Sequence, residues 1–371
     1  MKKIKNIFAL LLVLSMLVAL CACGGSSTTT TTAGTDSASS DSSGSTASTD
    51  DVYKLSFTIH DPSTSAKTQL YQEKADAVYE ATDGHLEITI YSSGTLVAST
   101  DVAEAIIAGT ADMGWLFVPF FTNQFPLTEV VNMPLQFGDV YATSMTIRDL
   151  YQEYAELQEE WSNYKVLNIY SMPGNYLFTN FPVYTADDLV GKNIRTSSNV
   201  GTTMIGDWGA AVMTYGPGDI YEAMQKNSID GFTFEYSGVK SFSLQEVVSY
   251  CTEMTVMTGP FVTAMNLDSW NSLPTEYQEV LEEYFGWNIS EEMARVYEAD
   301  LAAGKAACEE AGVEFIKPTD EQRATFQVAA DEFIDNWCET YSTDGFDARA
   351  FYEHALELYD SYLPDSGLTD Y

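Results

Sequence analysis

Hydrophobic and polar residues repeat with two different periods over residues 53–118. Residues 53–60 and 85–94 alternate at every second position, as half-buried strands do, whereas residues 68–84 repeat apolar side chains at helical spacing. A short helix is predicted over residues 100–109, and an apolar strand follows over residues 111–118. This β-α-β-α-β order predicts an α/β fold in which helices pack against a sheet.

A second alternation of strands and helices begins near Lys165. Two separate strands are predicted first, over residues 165–172 and 175–183. The elements predicted next are short helices over 185–191, 204–209 and 218–228 and strands over 192–197, 210–216 and 229–234. Long helical patterns then cover residues 274–312 and 320–341, with a short strand over 313–318 between them. The second half of the chain therefore repeats the α/β character of the first and ends in long helices.

The N-terminus predicts export from the cytoplasm. Residues 1–22 start with three Lys and continue as an apolar run, which is typical of a signal peptide. Ala22 before Cys23 resembles a bacterial lipobox, so we expect Cys23 to be lipidated; ordinary cleavage that leaves a free thiol is the alternative. Residues 23–51 are then the lipidated Cys and a disordered Ser/Thr-rich tether, because this segment contains no aliphatic residue larger than Ala that could be buried.

The length and charge of the body narrow the classes of function. Residues 52–371 exceed the size of one comfortable core, so two domains are expected. We assign residues 52–172 plus about 261–300 to domain I, and residues 173–260 plus about 301–371 to domain II. The formal net charge of −37 disfavours nucleic acid and anionic lipid as partners.

The sequence contains no recognisable catalytic or metal motif. The cysteines of the body are Cys251, Cys308 and Cys338, whose spacing matches no metal site; buried thiols are favoured over one disulfide. No nucleophile elbow, zinc-protease helix or phosphate loop is present. We therefore expect no cofactor, no metal and no enzymatic activity, although a carboxylate pair in so acidic a chain leaves a surface-anchored hydrolase as an alternative.

One arginine stands apart from the other four. Arg148, Arg295, Arg323 and Arg349 lie in helical patterns beside acids, as solvated helix faces do, whereas Arg195 follows Ile194 at a predicted strand end with no acid within six residues. Ligands of open α/β sheets lie outside the carboxyl ends of strands, and a guanidinium matches a carboxylate bidentately. Position alone leaves a ligand contact and a structural role equally open for Arg195.

The segments around Arg195 resemble the DctP-type substrate-binding proteins of tripartite ATP-independent periplasmic (TRAP) transporters. The resemblance covers about residues 53–336 and includes VYTADDLVGKNIRTSSN, WGAAVMTYGPGDIYEAMQKNSIDGF and NLDSWNSLPTEYQEVL in order. It implies a two-domain periplasmic-binding-protein-like fold with a hinge, long C-terminal helices and a ligand in the interdomain cleft. It also implies that Arg195 grips the carboxylate of an organic acid. The implied partners are that acid and a small and a large integral membrane subunit, which use an ion gradient for uptake.

The resemblance also implies further ligand contacts. His60 follows the first strand, Phe234 stands where many members have a ligand-binding Asn, and Asn175 falls where some members have a second Arg. The full set of expected contacts is Arg195, His60, Trp115, Phe117, Asn175, Tyr215, Phe232 and Phe234. Where these residues differ from those common in the family, they make the pocket more aromatic and leave it with one cation. We therefore expect the ligand to be a monocarboxylate with an apolar or aromatic part. The alternative is that about half of these aromatic residues belong to the core.

Localisation and transporter type follow from the same features. We expect a receptor anchored through Cys23 to the extracellular face of the cytoplasmic membrane, so that its body works beside the bilayer. The solute-binding lipoprotein of an ATP-driven importer would share the signal, tether and cleft, and it remains the main alternative.

Overall fold

The computed structural model describes residues 52–121 and 123–367. The strands are β1 (Tyr53–Thr58), β2 (Leu86–Tyr91), β3 (Met113–Phe117), β4 (Tyr164–Thr179), β5 (Asn193–Arg195), β6 (Ala211–Met213), β7 (Gly231–Phe234), β8 (Tyr250–Asn266) and β9 (Glu314–Ile316). The helices are α1 (Ala66–Ala81), α2 (Val102–Ile107), α3 (Val140–Glu153), α4 (Ala155–Glu160), α5 (Asn199–Asp207), α6 (Ile220–Gln225), α7 (Tyr236–Ser241), α8 (Leu267–Ser272), α9 (Thr275–Phe285), α10 (Asn288–Ala311), α11 (Asp320–Tyr341) and α12 (Ala348–Tyr362).

Within the described residues, nine strands form one mixed sheet. The order is β2-β1-β3-β8-β4-β7-β5-β6, and β9 pairs in parallel with the early part of β8. Strands β1, β2 and β3 are parallel to one another, and so are β5, β6 and β7. The long strands β4 and β8 are antiparallel and connect these two parallel halves of the sheet.

The strands of both halves end near the middle of the two long strands. Phe117 at the end of β3 pairs with Phe261 of β8, which pairs in turn with Tyr170 of β4. Phe234 at the end of β7 pairs with Tyr176, only six positions farther along β4. Side chains at these carboxyl ends therefore converge from opposite halves on one short stretch of β4 and β8.

The sequence prediction of two separate strands in this region is wrong, because the structure has one long strand, β4. Pro173 and Gly174 were expected to end the first strand, but β4 continues through both residues. The pairing with β8 shifts between Met172 and Asn175 and again between Asn175 and Leu177. The missing amide hydrogen of Pro173 is thus accommodated by a local irregularity rather than by a chain break.

Most of the other predicted elements are present where the sequence placed them. The long C-terminal pattern over residues 274–312 resolves into α9 and α10, which are separated at Gly286 and Trp287. Helix α10 packs against both α3, which follows the first half of the sheet, and α7, which follows β7, whereas α12 packs against α3. The assignment of residues to two domains stays a prediction.

Three sequence expectations concern single groups in the described part of the chain. Cys251, Cys308 and Cys338 are buried free thiols, as expected. Arg148, Arg295 and Arg349 form ion pairs with acids on or near their helices. The signal peptide, Cys23 and the tether lie outside the described residues. Among the helices that the structure describes, none has the length and apolar character that a membrane span requires.

Candidate ligand-binding site

A cavity of about 400 Å³ lies where the strand ends of the two halves converge. The loops after β1, β5, β6 and β7 contribute to its wall, together with β3, the irregular part of β4, the middle of β8 and one residue of α10. Its volume falls within the range of small-molecule sites, which are about 300–1,000 Å³. Both halves of the sheet therefore supply side chains to one cavity.

Arg195 is the last residue of β5 and is only 3% exposed. Its Nε donates to the carbonyl oxygen of Tyr215 at 3.0 Å, and Nη1 donates to that of Thr233 at 3.4 Å. No carboxylate of the described residues lies within 4.0 Å of its guanidinium, and Nη2 has no acceptor among them. Burial lowers the pKa of Arg195 to about 10, so the group remains charged at neutral pH. The cavity therefore contains a buried cation whose remaining donors await an anion.

Phe234 covers one side of this guanidinium. The Arg195 Cζ lies 5.6 Å from the centre of the Phe234 ring, within the distance of a cation–π contact. The ring sits against Gly238 at the start of α7, where a Cβ would come within 1.7 Å of a ring carbon. Glu235 caps the same helix by accepting from the Gly238 amide at 2.8 Å. The glycine thus permits the close approach that places Phe234 in the cavity wall.

Aromatic rings form the opposite wall. His60 stacks on Trp115 with ring centres 4.5 Å apart and an interplanar angle of 8°, and Trp115 stacks on Phe261 at 4.5 Å and 17°. Phe117 lies 4.8 Å from Phe261. Burial lowers the pKa of His60, so its imidazole is neutral at neutral pH and adds no charge to this wall. The wall is therefore suited to the face or edge of an apolar ring.

Hydrogen bonds behind this wall hold Trp115 in place. Its indole N–H donates to the Tyr170 hydroxyl of β4. That hydroxyl lies 3.3 Å from the Tyr71 hydroxyl, which contacts Thr263 of β8 at 2.6 Å. Because the buried polar atoms of Trp115, Tyr170 and Tyr71 satisfy one another, Trp115 can line the cavity without leaving its indole N–H unpaired.

The structure brings together seven of the eight expected ligand contacts. Arg195, His60, Trp115, Phe117, Asn175, Tyr215 and Phe234 all line the cavity. Phe232 is the exception, because it is fully buried and stacks on Phe178 with ring centres 5.5 Å apart. It lies two positions before the end of β7, where neighbouring side chains cover it, so its expected place in the pocket is corrected to the core.

The sequence expectation of a single cation in the pocket is wrong. Lys67, at the start of α1, also lines the cavity, and a lysine in the first turn of an amphipathic helix gave no signal in the sequence. Asp61, Glu235, Phe261 and Tyr297 are further wall residues that the sequence did not indicate. Of these, Asp61 could have been suggested by its position directly after His60.

The acids and imidazoles of the described residues show no cluster of three or more that could hold a metal ion. The cavity's chemistry is instead that of one buried guanidinium, a largely apolar aromatic wall and a lysine beside acids. Such an arrangement can bind a small organic anion with an apolar body.

Comparison with known proteins shows the family to which the chain belongs. The family model described as bacterial extracellular solute-binding protein, family 7 (DctP), matches residues 58–340. The chain therefore belongs to this family, and the resemblance to TRAP solute receptors seen in its sequence is confirmed.

Individual relatives extend the comparison. A TRAP periplasmic solute-binding protein from Desulfovibrio salexigens is 25% identical, with a TM-score of 0.76 over 85% of this chain and 98% of that one. A TRAP solute-binding protein from Rhodoferax ferrireducens, in complex with copurified benzoate, is 24% identical, with a TM-score of 0.75 over 85% of this chain and 99% of that one. A monocarboxylate 2-oxoacid-binding periplasmic protein of Nostoc is 26% identical over 225 residues, which span 56% of this chain and 58% of that relative. The predicted two-domain α/β fold class is thereby confirmed.

Proposed function

We propose that this chain is the extracytoplasmic solute receptor of a TRAP transporter and binds a monocarboxylate with an aromatic or other apolar part. The observation that carries the proposal is Arg195, a cation only 3% exposed that faces the cavity without a carboxylate partner among the described residues. A buried charge without a counter-ion is costly. A ligand carboxylate would supply the missing charge and accept from the free donors of the guanidinium.

The walls of the cavity define the rest of the ligand. The stacked rings of Trp115 and Phe261, together with Phe117 and Phe234, offer apolar surface on two sides. A flat ring between them gains both buried area and favourable ring contacts. The benzoate complex of the Rhodoferax protein and the monocarboxylate specificity of the Nostoc protein are consistent with this ligand class.

Ligand contact with both halves of the sheet supports a closing motion. Arg195 belongs to β5, whereas Trp115 belongs to β3, and β4 and β8 connect the two halves. A ligand that touches both would favour a closed form over an open one by the free energy of those contacts. In the proposed mechanism, residues 52–172 plus about 261–300 and residues 173–260 plus about 301–371 move as domains about β4 and β8. Closure would exclude water and strengthen the ion pair at Arg195.

Delivery to the membrane completes the proposal. The closed receptor would be recognised by a small and a large integral membrane subunit, which take up the acid with an ion gradient and leave it chemically unchanged. Lipidation at Cys23 would hold the receptor at the extracellular face of the cytoplasmic membrane. The tether of residues 24–51 would let the folded body reach those subunits.

Native mass spectrometry of the purified protein, followed by denaturation and identification of the released compound, tests the proposal. We expect an organic acid with one carboxylate and a ring or comparable apolar part. Calorimetry with benzoate, phenylacetate and phenylpyruvate then measures affinity directly. Release of a neutral or cationic compound, together with no heat from any of these acids, would contradict the proposal, and turnover of a bound acid would favour the hydrolase alternative.

A further inference from the structure

An ion pair in the cavity wall is held too far apart to form a hydrogen bond. The Lys67 Nζ lies 3.6 Å from an Asp61 carboxylate oxygen and 3.8 Å from an oxygen of Asp300. Neither Lys67 Nζ nor the Asp61 carboxylate makes a hydrogen bond of 3.5 Å or less to another residue that the structure describes. Both side chains are mostly buried, with 14% of Lys67 and 22% of Asp61 exposed.

A second lysine in the middle of the same helix behaves differently. Lys74, two turns farther along α1, contacts Glu292 at 2.6 Å and donates a hydrogen bond to it. Lys74 lies outside the cavity, and its side chain is no more buried than that of Lys67. A lysine on this helix can therefore close an ion pair, and the gap at Lys67 coincides with the cavity wall.

We propose that the gap between Lys67 and Asp61 receives a hydroxyl group of the ligand, so that the preferred ligand is a hydroxylated aromatic monocarboxylate. The inference rests on the proposed function, because it assumes that the ligand's carboxylate binds Arg195. A hydroxyl oxygen at about 2.8 Å from both groups accepts from the lysine and donates to the carboxylate. One neutral group then satisfies both charged side chains.

Other polar groups fit this position less well. A second carboxylate would meet Asp61 and Asp300 around a single lysine, and like charges repel at this distance. An ammonium would lie beside Lys67 itself. A carbonyl oxygen would accept from Lys67 and leave Asp61 without a donor.

The Lys67–Asp61 pair lies away from Arg195, where the ligand's carboxylate is proposed to bind. Asp61 lies in the β1–α1 connection and Lys67 in the first turn of α1, whereas Arg195 ends β5, and four strands separate β1 from β5 in the sheet order. The stacked ring of His60, next to Asp61, places the pair at the margin of the aromatic wall. The ligand's ring would therefore lie between its carboxylate and its hydroxyl.

Calorimetry with matched acids tests the inference. The probes are benzoate and phenylacetate, each compared with its 2-, 3- and 4-hydroxy derivatives. In the wild-type protein, at least one hydroxy derivative is expected to bind about tenfold or more tightly than its parent acid, as a hydrogen bond to a charged group implies. The substitutions Lys67→Met and Asp61→Ala are expected to abolish most of that ratio, whereas Lys74→Met, the matched control on α1, preserves it.

The outcomes separate this inference from the proposed function. Parent acids that bind while no hydroxy derivative exceeds them by more than about threefold would overturn the hydroxyl site and leave the receptor function standing. A ratio that persists in both Lys67→Met and Asp61→Ala would also overturn it. If the wild-type protein bound none of these acids, both proposals would be contradicted. Cooperative thermal unfolding of each variant shows that the measured ratios come from folded protein.

Discussion

The molecule has a second, larger cavity, and the two cavities differ in charge as well as in size. The larger one, of about 810 Å³, lies between residues 119–133, the segment around α5 and helix α11. Its ionisable wall residues are all acids or tyrosine: Glu129, Asp187, Asp207, Glu332 and Tyr341. The smaller cavity contains Arg195 and Lys67. In a chain with a net charge of −37, the placement of two cations distinguishes the cavity that can hold a carboxylate.

Burial acts in opposite directions in the two cavities. In the smaller one it leaves Arg195 charged and short of a counter-ion, which favours an incoming anion. In the larger one, burial raises the pKa of Glu129 to about 7, and burial does the same to Glu160 close by, because loss of water disfavours the charged carboxylate. An anionic ligand would add to this repulsion. The volume of a cavity is therefore a poor guide to its ligand when its charge is ignored.

The largest effect is expected from removing the buried cation. Arg195→Ala should weaken binding of the cognate acid about a hundredfold or more, because a buried charge-assisted pair would lose one partner. Cooperative unfolding should persist, since no described acid depends on Arg195 for its charge balance. Calorimetry measures the affinity, and Arg323→Ala on the exposed face of α11 is the control with the same change in net charge. Unchanged affinity in Arg195→Ala would remove the distinction between the two cavities.

A smaller effect is expected from changing the ring beside the cation. Phe234→Asn should lower the affinity for benzoate about five- to tenfold, because it removes apolar wall and the ring contact to the guanidinium. The control is Phe242→Asn, which alters an exposed ring that contacts Phe234 but does not line the cavity. Equal losses from both substitutions would show that general destabilisation, rather than the cavity wall, is responsible.

The smallest effect concerns the acids of the larger cavity. A carboxyl with an ordinary pKa of 4.5 and a folded-state pKa of about 7 binds more protons when folded between these values, so its contribution to stability declines as pH rises from about 4.5 to 7. Glu129→Gln keeps the contact with Asn132 and removes this decline. We expect it to raise the Tm by about 3 °C at pH 8 and to leave it nearly unchanged at pH 4.5.

Thermal scans across pH check this expectation. The exposed Glu332→Gln in the same cavity is the control and should show the wild-type profile. Because Glu129 and Glu160 interact, the pair titrates together and the transition is expected to be broad. An identical pH profile for Glu129→Gln and wild type would show that burial of this acid has no measurable cost.

The sequence located much of the candidate site, for reasons that differ between residues. Arg195 stood out by its isolation from acids at a strand end, and seven expected contacts do line one cavity. Phe232 was wrongly predicted to line the pocket, because its position in a strand does not reveal that Phe178 packs over its ring. Lys67 was overlooked because its distance from Asp61 and Asp300 depends on how α1 and α10 pack.

The sequence by itself determined the local elements, the family and the identity of the one arginine without a neighbouring acid, because these depend on periodicity and on residues near one another in the chain. Only the tertiary structure decided that β4 is a single strand, that strand ends from both halves meet at its middle, and that Lys67 and Asp61 face the cavity across a gap. These features depend on contacts between residues far apart in sequence, where burial and distance rather than local pattern set the energy.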